Sequence, residues 1–229
     1  SIKGGSGSDT LDYLKEAGGG GVDVNLGTFS AVDTYSNNDL LDSIENVRGS
    51  AQSDTIRGDS GANILNGEGG DDVLFGLADN DTITGDAGDD TIDGGAGDDN
   101  LSGGANDDII IGGAGNDTID GGAGTNDTAD YSSSTGGIDV DLERALEVTD
   151  DGLGGQDQLT GIENIVGSDE DDSIIGDSND NILTGNDGVD TLIGADGNDS
   201  FLGGPGDDLI KSGDGPDGVG GGWDIDTVG

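Results

Sequence analysis

The chain is 229 residues long and carries 51 Asp+Glu against 6 Lys+Arg, a formal charge of −45, with 50 glycines, 29% hydrophobic and 3% aromatic residues. So little apolar matter under so much like charge cannot fold unaided in plain water, so the missing stability must come from outside and be cationic. The absence of His and Cys excludes an imidazole base, a thiol nucleophile, a disulfide and a His/Cys zinc site, and the charge repels nucleic acid and anionic membranes.

In chain order, the first element is an isolated nine-residue unit, Gly4–Asp12 (GGSGSDTLD), which carries Asp9. A spacer, residues 13–48, follows. Within it Val22, Val24 and Leu26 alternate as a strand, and Ile44 and Val47 lead into a starting coil. Gly18–Asp23 (GGGGVD) imitates the unit's turn but is out of phase, with Asn25 where a buried apolar residue belongs. It reads as a loop without metal. From Gly49 to Asp120 the chain then runs in eight nonapeptides, among them Gly85–Asp93 (GDAGDDTID) and Gly94–Ser102 (GGAGDDNLS).

The same series repeats 118 residues on, as Asp9 and Asp127, Tyr13 and Tyr131, and Glu45-Asn46 and Glu163-Asn164 show. Residues 1–120 are therefore read as one copy. Residues 121–229 are the second, with a unit at 121–130, a spacer at 131–166 and an array at 167–229. The spacer contains Ile138, Val140 and Leu142 in alternation. From Asp9 to Asp54 is 45 residues, a whole number of units, so the repeating structure is expected to continue through the spacer with loops replacing turns. No apolar run approaches the roughly 20 residues of a membrane span. With neither an initiator Met nor a signal segment at Ser1, the chain reads as part of a longer one.

One unit can be written G1-G2-x3-G4-x5-D6-x7-U8-x9. Its glycines permit left-handed backbone, so positions one to six form a tight turn. Position eight is apolar throughout (Ile56, Leu65, Leu74, Ile83, Ile92, Leu101, Ile110 and Ile119 in the first array) between mostly polar neighbours. That alternation predicts a very short strand with one side chain inward. So short a strand is stable only when copies stack. Two units close one coil of 18 residues, and the coils stack in parallel at about 4.8 Å.

Stacking aligns position six into columns. Asp54, Asp72, Asp90, Asp108 and Asp127 share one edge, and Asp81, Asp99 and Asp117 the other. The second array aligns Asp172, Asp190, Asp208 and Asp226 on one edge, and Asp199 with Asp217 on the other. Carboxylates stacked this closely repel. A hard divalent cation between successive turns, bound by several oxygens at about 2.3–2.6 Å, removes the conflict. Calcium fits best, because magnesium sheds water reluctantly and soft metals want His or Cys.

The pattern GGxGxDxUx resembles the hemolysin-type, or RTX, repeat family of secreted bacterial proteins. The resemblance implies a right-handed parallel β-roll (a β-helix or solenoid), all-β, disordered without calcium and folded in extracellular calcium. It also implies export, unfolded, through type I secretion machinery, and a secreted localisation. It further implies ligands from position-six carboxylates, Asp9 included, and from carbonyls near positions two and four, or one and three of the facing turn. Position two supplies Gly95, Gly104, Gly113, Gly122, Gly204 and Gly213. Position four supplies Gly70, Gly88, Gly97, Asn106, Gly115, Gly124, Gly188, Gly197, Gly206 and Gly215.

The pattern weakens at Asn63 and Asn181, where a neutral amide replaces the position-six carboxylate and weak or empty sites are expected. Position four departs from glycine at Gln52, Asp79, Asn106, Glu170, Asn179 and Asp224. Same-edge pairs with Asp at both ends predict about ten Ca2+ ions. The expected function is a calcium-dependent folding module, monomeric within a larger secreted protein, with no catalytic residues and no cofactor other than calcium. The alternative is a structural or adhesive solenoid of a bacterial surface protein.

Overall fold

The computed structural model describes residues 1–15, 19–144, 148–216, 218–220 and 227–228. The period of nine becomes a parallel β-solenoid. Each nonapeptide contributes one strand, and each strand pairs in parallel with the one 18 residues away, as in Thr91↔Val73 and Ile92↔Leu74. Alternate units fall on opposite faces. One face is a 13-stranded sheet; the other is divided into sheets of seven and six strands. Position eight points between the faces, where Ile56, Leu65, Leu74, Ile83, Ile92, Leu101 and Ile110 are each 0% exposed. Each such side chain contributes about 1.5–3 kcal/mol by leaving water. Val219 and Val228 would extend this row, but their side chains lie outside the described residues.

In the first array the strands are longer than the pattern suggests. Ile64–Gly69 through Thr118–Ala123 run six residues each, into position three of the next unit. Position two pairs across coils within them, as in Gly95↔Gly113. The turn proper is therefore confined to positions four to six. From Glu68 to Gly122 position two is left-handed whether or not it is glycine: φ is +104° at Gly95, +87° at Leu77 and +77° at Glu68. Side chains beyond glycine are strained there. The second array keeps three-residue strands such as Thr191–Ile193.

The solenoid continues through both spacers, by one coil rather than the two that 36 residues would allow. Thr10–Asp12 pairs directly with Asn46–Arg48, and Thr128–Asp130 with Asn164–Val166. The surplus leaves the roll as an antiparallel extension. In the first copy Asp23–Asn25, Ser30–Val32 and Asn38–Asp42 meander at the end of the 13-stranded sheet. In the second, Asp139–Asp141 pairs antiparallel with Val148–Asp150. Val22, Val24, Leu26, Ile138 and Val140 are buried as the alternation requires. The GGGGVD segment ends in a strand rather than a loop: Val24, not Asn25, enters the core, and Asp23 sits at position seven beside Thr55. Gly18 lies outside the described residues.

The shift of 118 residues equals thirteen nonapeptides and one residue, and because the spacer advances one coil rather than two the roll turns through eleven half-coils, an odd number. Equivalent elements therefore exchange faces between the copies. The strand after Asn63 belongs to the seven-stranded sheet, whereas the strand after Asn181 belongs to the 13-stranded one. The second spacer divides the opposite face. There Gln158–Thr160 pairs back to Thr118–Asp120, while Asp139–Asp141 pairs forward to Ser173–Ile175.

Candidate metal sites between the coils

The turn that precedes each strand sets its position-six side chain against the preceding coil. Asp72 Oδ1 accepts the Asp54 amide at 2.7 Å, Asp90 that of Asp72 at 2.7 Å, Asp108 that of Asp90 at 2.8 Å and Asp127 that of Asp108 at 2.8 Å. On the opposite edge Asp81, Asp99 and Asp117 accept from Asn63, Asp81 and Asp99 at 2.7–2.8 Å. The second array repeats the ladder: Asp190 and Asp208 accept from Asp172 and Asp190, and Asp199 from Asn181, all at 2.9 Å. These columns are the ones the nine-residue phase dictates. The extra residue at Gly121–Asp130 is absorbed without breaking them.

One oxygen of each carboxylate is thus consumed by backbone. The other is not. Asp72, Asp81, Asp90, Asp99, Asp108, Asp117, Asp127 and Asp190 each leave Oδ2 buried without a hydrogen-bond partner. A buried anionic oxygen with no donor is costly unless a cation or a proton meets it. Burial pushes these groups up first, and neighbouring carboxylates add to it: Asp72 to about 8, Asp108, Asp117 and Asp190 to about 7, Asp81 and Asp90 to about 6.

Backbone oxygens face the same gaps. A Cβ on Gly67 would lie 2.1 Å from Asp72 Oδ2 and 2.8 Å from the Gly85 carbonyl. At Gly85 it would lie 2.1 Å from Asp90 Oδ2 and 2.6 Å from the Gly103 carbonyl. At position four of the unit that opens the second copy, three oxygens converge. A Cβ on Gly124 would stand 2.4 Å from the Asn106 carbonyl and 2.6 and 2.7 Å from the two Asp127 oxygens. Only glycine fits at these points, and the carboxylate and carbonyl oxygens crowded around them are the hard donors that calcium takes. Among the described residues no three acidic side chains form a metal cluster by themselves, so any ion here depends on carbonyls.

The other residues singled out by the pattern fall along these gaps. At position two, Gly95, Gly104, Gly113, Gly122, Gly204 and Gly213 are left-handed, and at position four so are Gly70, Gly88, Gly97, Asn106, Gly115, Gly188, Gly197 and Gly206. The carbonyl of one coil points at the glycine of the next: a Cβ on Gly115 would meet the Gly97 oxygen at 1.9 Å, and one on Gly206 the Gly188 oxygen at 1.5 Å. Gly215 lies in a bend. Asp217, Asp226, Trp223 and Asp224 lie outside the described residues. Asp9 also has a buried, unpartnered Oδ2.

Four turns differ. Asp54 accepts from the Ser50 amide and hydroxyl and from the Val22 amide, and Asp172 from the Ser168 amide and hydroxyl and the Ile138 amide, so both carboxylates are satisfied internally. The same hydroxyls accept the Gln52 and Glu170 amides and close the turns where position four lacks glycine. Asn63 accepts from Asp59 and donates to the Glu45 carbonyl; Asn181 accepts from Asp177 and donates to that of Glu163. The amide thus bridges the gap an ion would fill.

Three acidic residues join the columns without having been singled out. Glu45 and Glu163 accept the Asp9 and Asp127 amides at 2.9 and 3.0 Å. Extending the nine-residue phase one unit upstream of Asp54 and Asp172 would have found them. Asp157 accepts the Asp117 amide at 3.0 Å. Its GQDQLT context preserves GxDxUx but is displaced by four residues, which hides it from a strict period.

Comparison with protein families agrees with this geometry. The model for the RTX calcium-binding nonapeptide repeat (4 copies) matches residues 41–74, 67–101, 93–127, 157–192, 184–219 and 193–228, together well over half the chain. A search of curated proteins gave no match.

Proposed function

The chain belongs to the RTX calcium-binding nonapeptide repeat family, and from that membership we propose that it is a calcium-gated folding module of a secreted bacterial protein. Without calcium, repulsion under a charge of −45 and the chain entropy of 50 glycines hold it open. Calcium binds only the stacked form, so its binding free energy becomes folding free energy. The single observation that carries this reading is the column of buried Oδ2 atoms without donors, facing carbonyls of the adjacent coil.

The position-six carboxylates and the position-two and position-four carbonyls are the proposed ligands. Calcium there supplies a positive charge shared between coils, and the chain's residues orient its oxygens and exclude water. About ten ions follow from the same-edge pairs. The gaps at Asp54 and Asp172 should fill last, because serine already satisfies those carboxylates. Low calcium inside the cell would keep the chain threadable through a type I secretion channel, and external calcium would fold it on arrival. No residue is assigned a catalytic role.

Small-angle X-ray scattering tests the reading. In chelator the radius of gyration should approach about 50 Å, the value for an unfolded chain of this length, and it should contract with an elongated profile in millimolar calcium. The same compact scattering in both would overturn the gate and favour a constitutive structural or adhesive solenoid.

A further inference from the structure

The second spacer brings a carboxylate from outside the nonapeptide pattern against the end of a column. Asp151 is 0% exposed. Its Oδ1 accepts the Leu153 and Gly155 amides at 2.7 and 2.8 Å, but its Oδ2 is buried without a partner. Across the gap stands the Gly115 carbonyl: a Cβ on Gly155 would lie 1.7 Å from that oxygen and 2.6 Å from Asp151 Oδ2. Both acceptors thus close on Gly155 from the side its missing Cβ would occupy, and the Asp151 oxygen has no donor. Asp117, whose own Oδ2 is also buried and unpartnered, feels the charges of Asp151 and Asp157. Asp157 is otherwise engaged, by the Asp117 amide and by the Tyr131 hydroxyl at 3.1 Å.

We propose that Asp151 Oδ2 and the Gly115 carbonyl hold an additional divalent cation, calcium, with the Asp117 carboxylate supplying further charge. This ion pins the spacer loop to the last coil of the first array. The proposal rests on the calcium reading above but concerns a ligand that no repeat supplies. Negative charge from the spacer makes this gap more acidic than one bounded by repeats alone, and ligand charge raises calcium affinity. The site should therefore fill at lower calcium than the gaps bounded by Asp54 and Asp172. Tyr131, which bonds Asp157 and feels the charge of Asp151, is near enough to sensitise a lanthanide bound there.

The test is equilibrium dialysis of the full chain against calcium, with Asp151→Asn and Ser134→Ala compared with the parent. Ser134 donates to the Asp151 carbonyl at 2.7 Å, so its variant disturbs the same loop and keeps the carboxylate. Asp151→Asn should bind one ion fewer per chain, and Ser134→Ala the full number. An unchanged count in Asp151→Asn, in a chain that still folds with calcium, would overturn the proposal and leave the general reading intact; a proton shared between Asp151 and Gly115 gives that result. A parent chain that binds no calcium would sink both. Should Asp151→Asn fail to fold, terbium decides on the parent. Tyrosine-excited Tb3+ emission should drop in Tyr131→Phe at equal terbium occupancy, and unchanged emission would overturn the site.

Discussion

At the scale of single residues, the position-six aspartate divides its labour. Oδ1 locks the preceding coil through a backbone amide, and at Asp72, Asp81, Asp90, Asp99, Asp108, Asp117, Asp127 and Asp190 Oδ2 is left buried without a donor. The folded, metal-free carboxylates lie above their ordinary value of 3.8, from about 6 at Asp81 and Asp90 to about 8 at Asp72, chiefly through burial. A group raised in the folded state contributes stability that is complete below its unfolded value and is lost as pH rises through the folded one. In chelator the roll should therefore gain β structure on acidification from about pH 8 to about pH 4. Calcium needs the carboxylates ionised, so its affinity should fall over the same range. Circular dichroism across pH, with and without calcium, checks both signs; a chelated chain that loses structure on acidification would contradict the assignment.

Asp99 borders a gap above and a gap below, since it accepts from Asp81 and donates its own amide to Asp117. Asp99→Ala should raise the calcium midpoint of folding roughly tenfold, corresponding to about 1.4 kcal/mol. Asp71→Ala, at an exposed position five, should move it little. Equal midpoints in the two variants would mean that the columns are not where the ions sit.

At the scale of the coil, the two kinds of gap make different demands. Where aspartate stands, the gap lacks a donor; where Asn63 stands, the amide bridges to the Glu45 carbonyl at 2.7 Å. Asn63→Asp removes that donor and adds charge. It should cost about 1–3 kcal/mol in any residual chelator-stable structure and add one ion at saturating calcium. Urea unfolding and ion counting measure the two effects separately, and an unchanged count would show that the amide does not stand in for a cation.

The coil is also where the sequence was most and least legible. Position eight, the facing columns and the stacking followed from a strict period, because identical units leave one self-consistent packing. The six-residue strands were missed since glycine at positions one to three reads as turn; only pairing across coils makes it extended. Asp157 was missed because the spacer's surplus residues break the phase while the backbone recovers it in space.

At the scale of the molecule, the 13-stranded sheet runs across the boundary between copies, from Ile109–Ala114 to Thr128–Asp130. The repeat of 118 residues is legible in the sequence, but the exchange of faces follows from an odd number of half-coils, which becomes visible only once coils are counted. The spacers advanced one coil instead of two because their surplus residues form antiparallel hydrogen bonds outside the roll. Each interior turn touches a gap on either side, so ions and coils are coupled along the column and folding should be cooperative.

The most direct measurement is a calcium titration of the metal-stripped chain followed by far-UV circular dichroism, with magnesium as the control. The account predicts a steep coil-to-β transition near millimolar calcium and none with magnesium. A chain already fully β-structured in chelator at neutral pH, or one that folds equally well in magnesium, would contradict it.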